Sequence, residues 1–209
     1  MDISQIQKQI LESDEFVLSE AQKVRYLYGL KKEMRYNQTR TETIRTESVA
    51  EHIYGMCIVA NYFLPLEDPK NKLNQGDVFK LISWHDADEI ETGDILGQSK
   101  TQTDRDNEVI AMKTVIENTP AHMQPEALRL MKDYELQSTP EARFVKAIDK
   151  IEVSFEIFDD NYREIFKKLH TRRQDNDKTK LPYIQDYPYI LRFCQVISDE
   201  IDRLGFFVK

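Results

Sequence analysis

The chain has 209 residues, 40% of them apolar and 32% charged, with only 6 Gly and 7 Pro. That length and mixture suit one globular, helix-leaning domain with a substantial core, and they exclude a disordered or fibrous chain. The net charge of −8 repels a polyanion and excludes sequence-independent binding to nucleic acid, although a local cluster of Arg and Lys is enough to capture a small anion.

No apolar run reaches membrane-spanning length, and the opening "MDISQIQKQI" has no basic stretch followed by an apolar one, so neither a membrane span nor a signal peptide is expected. Cys57 and Cys194 lie far apart without a CxxC spacing and read as reduced, buried thiols of a cytoplasmic protein.

Helical periodicity dominates the chain. Residues 16–30 form one expected helix, with Val17, Ala21, Val24, Leu27 and Leu30 as its apolar stripe. A second runs over 48–63, opened by Ser48 and Glu51 in the spacing of a capping box. Residues 64–77 are rich in turn formers and read as a loop, followed by a helix over 78–90 and a broken region over 92–103. Helices are expected over 106–117 and 125–134. Another opens with Thr139 as N-cap and Pro140 at the first helical position. The polar stretch 170–188 reads as a mobile connector before a last amphipathic helix over 189–204. The expected fold is all-α, a single domain without a linker.

Three places put polar chemistry against apolar faces. His52 shares a face with Val49, Ile53, Met56 and Ala60, where a histidine is either a satisfied core residue or a ligand. Asp149 borders the stripe of Phe144, Val145, Ile148, Ile151 and Phe155; it is either paired with Lys146 or Lys150 or held by another counter-charge. "LISWHDADEIETGD" (81–94) turns abruptly from apolar packing to imidazole and carboxylate. Together His52, His85, Asp86 and Asp149 offer two imidazoles and two carboxylates, and one divalent cation would partner all four. Mixed N and O donors suit Mn, Fe, Co or Zn, and Mg less well. A helix continuing past His85 would put Glu89 on the same face, four residues on. The alternative for Glu89 is a solvated residue, as assumed for Asp88 and Glu91.

The blocks "RTESVAEH" (45–52), "HDADEIETGD" (85–94) and "YELQSTPEARFVKAIDKIE" (134–152) resemble, in that order, the HD-domain metal-dependent phosphohydrolases, and within them the 5′-deoxynucleotidase-like branch. The resemblance implies an HD-type helical bundle with a mononuclear metal site, and His52, His85, Asp86 and Asp149 as ligands of one divalent ion (Mn, Co, Fe, Zn or Mg). It implies Glu89 as the acidic residue handling the attacking water or the leaving oxygen, and Asp94 as the carboxylate meeting the sugar. Arg35 with Tyr36, and Lys100 after Gly93-Asp94, match substrate-binding positions, with Arg40 and Arg45 as nearby alternatives. The implied activity is hydrolysis of (deoxy)nucleoside 5′-monophosphates by a homodimer; a different small phosphate ester or diester, or a nucleotide-binding protein without turnover, are the alternatives. The chain departs from the family in two places: "ILGQSK" (95–100) lacks the family's prolines, and the Arg-aromatic pair is shifted relative to His52. Both departures bear on nucleotide preference. His122 and His170 match nothing and read as surface residues.

Overall fold

A computed structural model of the chain describes residues 2–38, 46–95, 100–159 and 161–208. Arg40 and Arg45, and most of "ILGQSK", lie outside the described residues, as do the side chains at 37, 38 and 161. Helices α1 (Ile3–Glu12) and α2 (Asp14–Tyr26) come first, then a 3-10 turn (Leu27–Lys31) and the short α3 (Arg35–Gln38). Next are α4 (Val49–Glu67), α5 (Gln75–Trp84), α6 (Glu89–Thr92), α7 (Gln102–Asn118) and α8 (Gln124–Leu136). The chain continues through α9 (Pro140–Glu156), α10 (Asn161–Lys168), α11 (Arg173–Ile184) and α12 (Pro188–Arg203). Among the described residues there is no strand, only an isolated bridge between Met34 and Ser48. Among the described residues no helix is long and apolar enough to cross a membrane.

Helix α9 is the hub. It packs against α4, α5, α8, α11 and α12, and its residues Phe144, Val145, Ile148 and Ile151 are fully buried. They join Met56, Ala60 and Phe63 of α4, Leu81 and Ile82 of α5, and Leu130 of α8 in the main core. Local chemistry sets where the two central helices begin. Ser48 Oγ accepts from the Glu51 N–H at 3.2 Å while Glu51 accepts from the Ser48 N–H at 2.6 Å, which satisfies two otherwise unpaired donors at the start of α4. Thr139 Oγ1 accepts from the Ala142 N–H at the start of α9, where Pro140 lacks the N–H that the first turn cannot use.

Several expected boundaries are corrected. Helix α4 continues through Pro65 to Glu67, since near a C-terminus the missing N–H costs one ladder bond only, and α5 starts at Gln75, so the 64–77 loop shrinks to its middle. The expected 78–90 helix breaks: α5 stops at Trp84, a run of turns covers 85–88, and α6 restarts at Glu89. The 170–188 connector contains the three-turn helix α11, which packs on α9 and α12. Its buried positions are Lys180 and Ile184, so no apolar period announced it. The stripe on α2 is not a buried face: Val17 and Val24 are 40% and 41% exposed, and of the five only Leu30, in the 3-10 turn, is buried. Phe155 is likewise exposed at the end of the α9 stripe. Cys194 is a buried free thiol and Cys57 a half-buried one, and His122 and His170 are exposed.

Candidate metal centre and its surroundings

The break after α5 puts His85 at a helix C-cap. Its Nδ1–H donates to the Ile82 carbonyl at 2.9 Å, which leaves Nε2 with its lone pair free. His52, on the inner face of α4, has Nδ1 at 2.6 Å from Glu152 Oε2, so its Nε2 is free in the same way. The two rings lie 5.7 Å apart. Asp86 Oδ2 lies 2.8 Å from His85 Nε2, and Asp149 Oδ1 lies 3.4 Å from His52 Nε2. Among the described residues neither buried Nε2 makes a well-aligned hydrogen bond, these carboxylates being the groups that face them.

Such burial is costly unless something else occupies the space between them. Ligand atoms of His52, His85 and Asp86 lie within 4.8 Å of one another, and Asp149 approaches from the His52 side. Two imidazoles each oriented through Nδ1, with Nε2 facing carboxylates, are a donor set that fits one divalent cation.

The field at the site favours positive charge. Burial is the largest influence on Asp86 and would raise it, but the neighbouring His85 imidazole outweighs that and holds the carboxyl well below its usual range. Burial also opposes ionisation of Asp149, and Lys150, His52 and Lys146 together hold it well below the usual range. Burial and Arg35 press the His52 imidazole downward, yet Glu152 and Asp149 more than offset them and raise it to about 10. Surroundings that hold a proton on a buried imidazole are surroundings that hold a cation.

Sequence reasoning passed over a further set of groups around these. Glu152, one turn beyond Asp149, is 3% exposed and packs against Gly55 of α4. Glu47 is equally buried and pairs with Arg35, whose guanidinium also lies 3.7 Å from Glu152. Glu47, His52 and Glu152 could in principle ligate a second ion, but Arg35 already supplies the positive charge there. Tyr134 donates to Asp149 Oδ2 at 2.9 Å and accepts from Lys146 at 3.1 Å. Both lysines weighed for Asp149 approach it, Lys150 at 2.9 Å and Lys146 at 3.7 Å. The only signal for Glu152 was its place on the Asp149 face, and its partner His52 is 100 residues away.

Glu89 does not continue a helix from His85, yet the turn returns it to the cluster. Its Oε2 is buried without a partner among the described residues. Burial, then the carboxylates of Asp86 and Asp94, push its carboxyl well above the usual range. Asp88 is not the solvated residue expected, because burial and Asp86 raise it to about 7. Glu91 is exposed and accepts from the Tyr26 hydroxyl. Asp94 Oδ2 accepts from the Tyr36 N–H at 2.9 Å. Tyr36 has φ 60, a strained conformation for a side chain of that size, and this bond helps hold it.

Two cavities flank the cluster. One of about 190 Å³ is lined by His85, Asp86, Glu89, Lys100, Arg105 and Lys146 among others. Lys100, which matches a substrate-binding position of the family, is paired with Glu108. The other, about 180 Å³, has Arg35, Tyr36 and Lys150 in its wall.

The HD domain family model matches residues 27–184. The chain belongs to this family. It is similar to 5′-deoxynucleotidase HDDC2 of Homo sapiens, 32% identical over 111 residues, 52% of each chain. With HDDC2 of Xenopus laevis it is 30% identical over 158 residues, 75% of this chain and 74% of that one. The chain spans about half the length of most of the curated relatives it matches. Its fold is similar to a solved structure described as a predicted metal-dependent phosphohydrolase from Magnetospirillum magnetotacticum MS-1, with TM-score 0.77 and 23% identity, covering 92% of this chain and 98% of that one. An HD-domain phosphohydrolase structure from Listeria innocua matches with TM-score 0.55 and 21% identity over 88% of this chain and 86% of that one.

Proposed function

We propose that the chain is a single-domain, metal-dependent phosphomonoesterase that hydrolyses (deoxy)nucleoside 5′-monophosphates. His52, His85, Asp86 and Asp149 would hold one divalent ion, of the Mn, Co, Fe, Zn or Mg kind, which when bound polarises the phosphoryl group and lowers the pKa of water. The observation that carries the reading is Glu89: its Oε2 is buried and unpartnered among the described residues, and it lines the same cavity as His85 and Asp86. A protein that only binds a nucleotide has no use for such a group. Burial and its acidic neighbours push the Glu89 carboxyl well above its usual range, which favours a group able to give a proton to the leaving 5′-oxygen.

The remaining residues position the substrate. Arg35 offers a planar fork and Lys100 a point charge to phosphoryl oxygens, each exchanging a carboxylate partner (Glu47 or Glu108) for the substrate. Arg105 and Lys146 line the same cavity as Lys100 and add positive charge. Asp94 would accept from the sugar 3′-hydroxyl, next to the Tyr36 ring. Arg45 is retained as an alternative phosphate contact. Homologues named 5′-deoxynucleotidase support the substrate class, and the small cavity beside Lys100 favours one phosphoryl group over three.

We propose in addition that the protein is a cytoplasmic homodimer. Tyr54, Ile58 and Tyr62 of α4, Phe155 of α9 and Val196 of α12 are exposed, and apolar grooves lined by Phe155 and Phe193 run between these helices. Apolar surface of that kind suits a second copy, and sedimentation velocity giving a monomer at micromolar concentration would remove this part.

The test of the activity is phosphate release from nucleoside 5′-monophosphates, 3′-monophosphates and triphosphates with each of several divalent metals. Turnover of 5′-monophosphates well above the rest is expected. Asp94→Asn should then cut kcat/KM for nucleotides more than for an aryl phosphate without a sugar. Preference for triphosphates, or equal losses on both substrates, would shift the reading to another phosphate ester.

A further inference from the structure

Behind Arg35 and Tyr36, α9, α10 and α11 enclose the cavity of about 180 Å³. Its polar lining residues are Arg35, Tyr36, Lys150, Thr171, Asn176, Thr179 and Lys180, rich in donors and with no carboxylate among them. In a chain of net charge −8 a wall of that composition is unusual.

Among the described residues, three of these groups lack the partners that burial normally demands. Lys180 is 3% exposed, and its ammonium donates to a single partner, Ser154 Oγ at 2.7 Å. Two of its three donors are left over. Asn176 Nδ2 is buried without a partner. Tyr36 is 8% exposed, and its hydroxyl is also without a partner. An unpaired buried charge costs several kcal/mol and leftover buried donors add to it. Such groups persist where a ligand satisfies them.

We propose that this cavity is a second binding site, distinct from the metal centre, for a small oxyanion of the phosphate type held by Lys180, Asn176 and Lys150. A tetrahedral oxyanion presents several acceptors and negative charge, the complement of this lining. The apolar remainder, Val153, Ile157 and Phe166 among it, lowers the local dielectric and strengthens polar contacts made there. Lys150 connects the site to the metal centre, since the same ammonium pairs with Asp149 at 2.9 Å. Free inorganic phosphate and the phosphoryl group of a second nucleotide share this chemistry.

Calorimetric titration of the full chain with inorganic phosphate tests the proposal. His85→Ala removes phosphate captured through a bound metal, and the part of the persisting binding that a Lys180 or Asn176 substitution removes belongs to the cavity. Adding Lys180→Met should weaken that binding by about tenfold or more, in line with the loss of a charge-assisted contact. Asn176→Asp, which puts a carboxylate in the wall and leaves Lys180 in place, should abolish it and serves if Lys180→Met does not fold. Competition by deoxyadenosine monophosphate in the His85→Ala chain would assign the site to a nucleotide phosphoryl group, and its absence to free phosphate. Phosphate binding unchanged in both Lys180→Met and Asn176→Asp, or no phosphate bound by the His85→Ala chain, would overturn the proposal. Neither result depends on whether the metal centre hydrolyses nucleotides.

Discussion

Glu152 Oε2 lies 2.6 Å from His52 Nδ1, across the interface of α9 and α4, with both side chains buried. The carboxylate fixes the imidazole so that Nε2 faces Asp149 and the His85 ring, and it makes that nitrogen a better donor. Glu152 touches no reacting atom, so it positions rather than reacts. Glu152→Gln should therefore weaken divalent metal binding by about tenfold to a hundredfold, the usual effect of losing such a partner. Once metal is saturating, much of the turnover should return. Metal titration followed by assay at high metal separates the two effects, and wild-type affinity in the variant would reduce Glu152 to a packing residue.

The same interface explains Gly55. A methyl group added there would meet Glu152 Oε1 inside van der Waals contact, and Glu152 cannot swing away without leaving His52 and Arg35. Alanine gains about 1 kcal/mol over glycine in a helix interior, whereas forced overpacking costs about 1–3 kcal/mol. Gly55→Ala should on balance be destabilised, with metal affinity falling alongside. Urea unfolding reads the first effect; a more stable variant would mean that Glu152 moves freely.

What the sequence disclosed divides by range. Ser48 with Glu51, and Thr139 with Pro140, were legible because a cap is chemistry within four residues. His52 and Asp149 were legible as polar groups on apolar faces because the helical period is local as well. Glu152 was not, since its meaning lies in a histidine 100 residues away. The break after Trp84 carries no Gly or Pro, so nothing local announced it. Helix α11 was read as a connector because one of its two buried residues is Lys180, which a hydropathy pattern counts as surface.

The proposed ligands make a direct prediction. His85→Ala or Asp86→Ala should lose bound divalent metal and activity together, because each removes a donor from the cluster. Neither should unfold the chain, since α5 is anchored by Val78, Leu81 and Ile82. Elemental analysis of the purified variants decides it, and full occupancy with normal turnover in both would dismiss the ligand set.

Lys180 gives a pH dependence with a definite sign. Burial lowers its ammonium to about 8 in the folded chain, against about 10.4 when unfolded. Between those values the unfolded chain binds more protons, so this group makes stability rise with pH from about 8 to about 10.4. Below about 8 both states are protonated, and the full cost of burying the charge is present. That cost is on the order of 3 kcal/mol. Lys180→Met should accordingly be more stable than wild type at pH 7 in phosphate-free buffer, with the gap narrowing towards pH 10. Paired urea titrations across that range test it; a constant gap would show that the buried ammonium is not what titrates.

Glu89 carries the proposed chemistry, and its prediction separates proton transfer from metal binding and folding. Its Oε2 has no partner, and burial with Asp86 and Asp94 holds its carboxyl well above the usual range. Glu89→Gln keeps the shape and a donor group but has no proton that it can release. The fold should survive, because the uncharged amide replaces a carboxyl of the same shape whose charged form burial, Asp86 and Asp94 already disfavour. Metal content should also be kept, since Glu89 is outside the ligand cluster. Turnover should fall by about a hundredfold or more, the range for losing a general acid, with KM little changed. The loss should shrink for substrates with a good leaving group such as nitrophenolate, which departs without protonation. Steady-state kinetics on a nucleotide and on nitrophenyl phosphate make the comparison. Equal losses on both would point to Glu89 as a base acting on the attacking water, and wild-type rates on both would return it to the status of a buried but idle carboxyl.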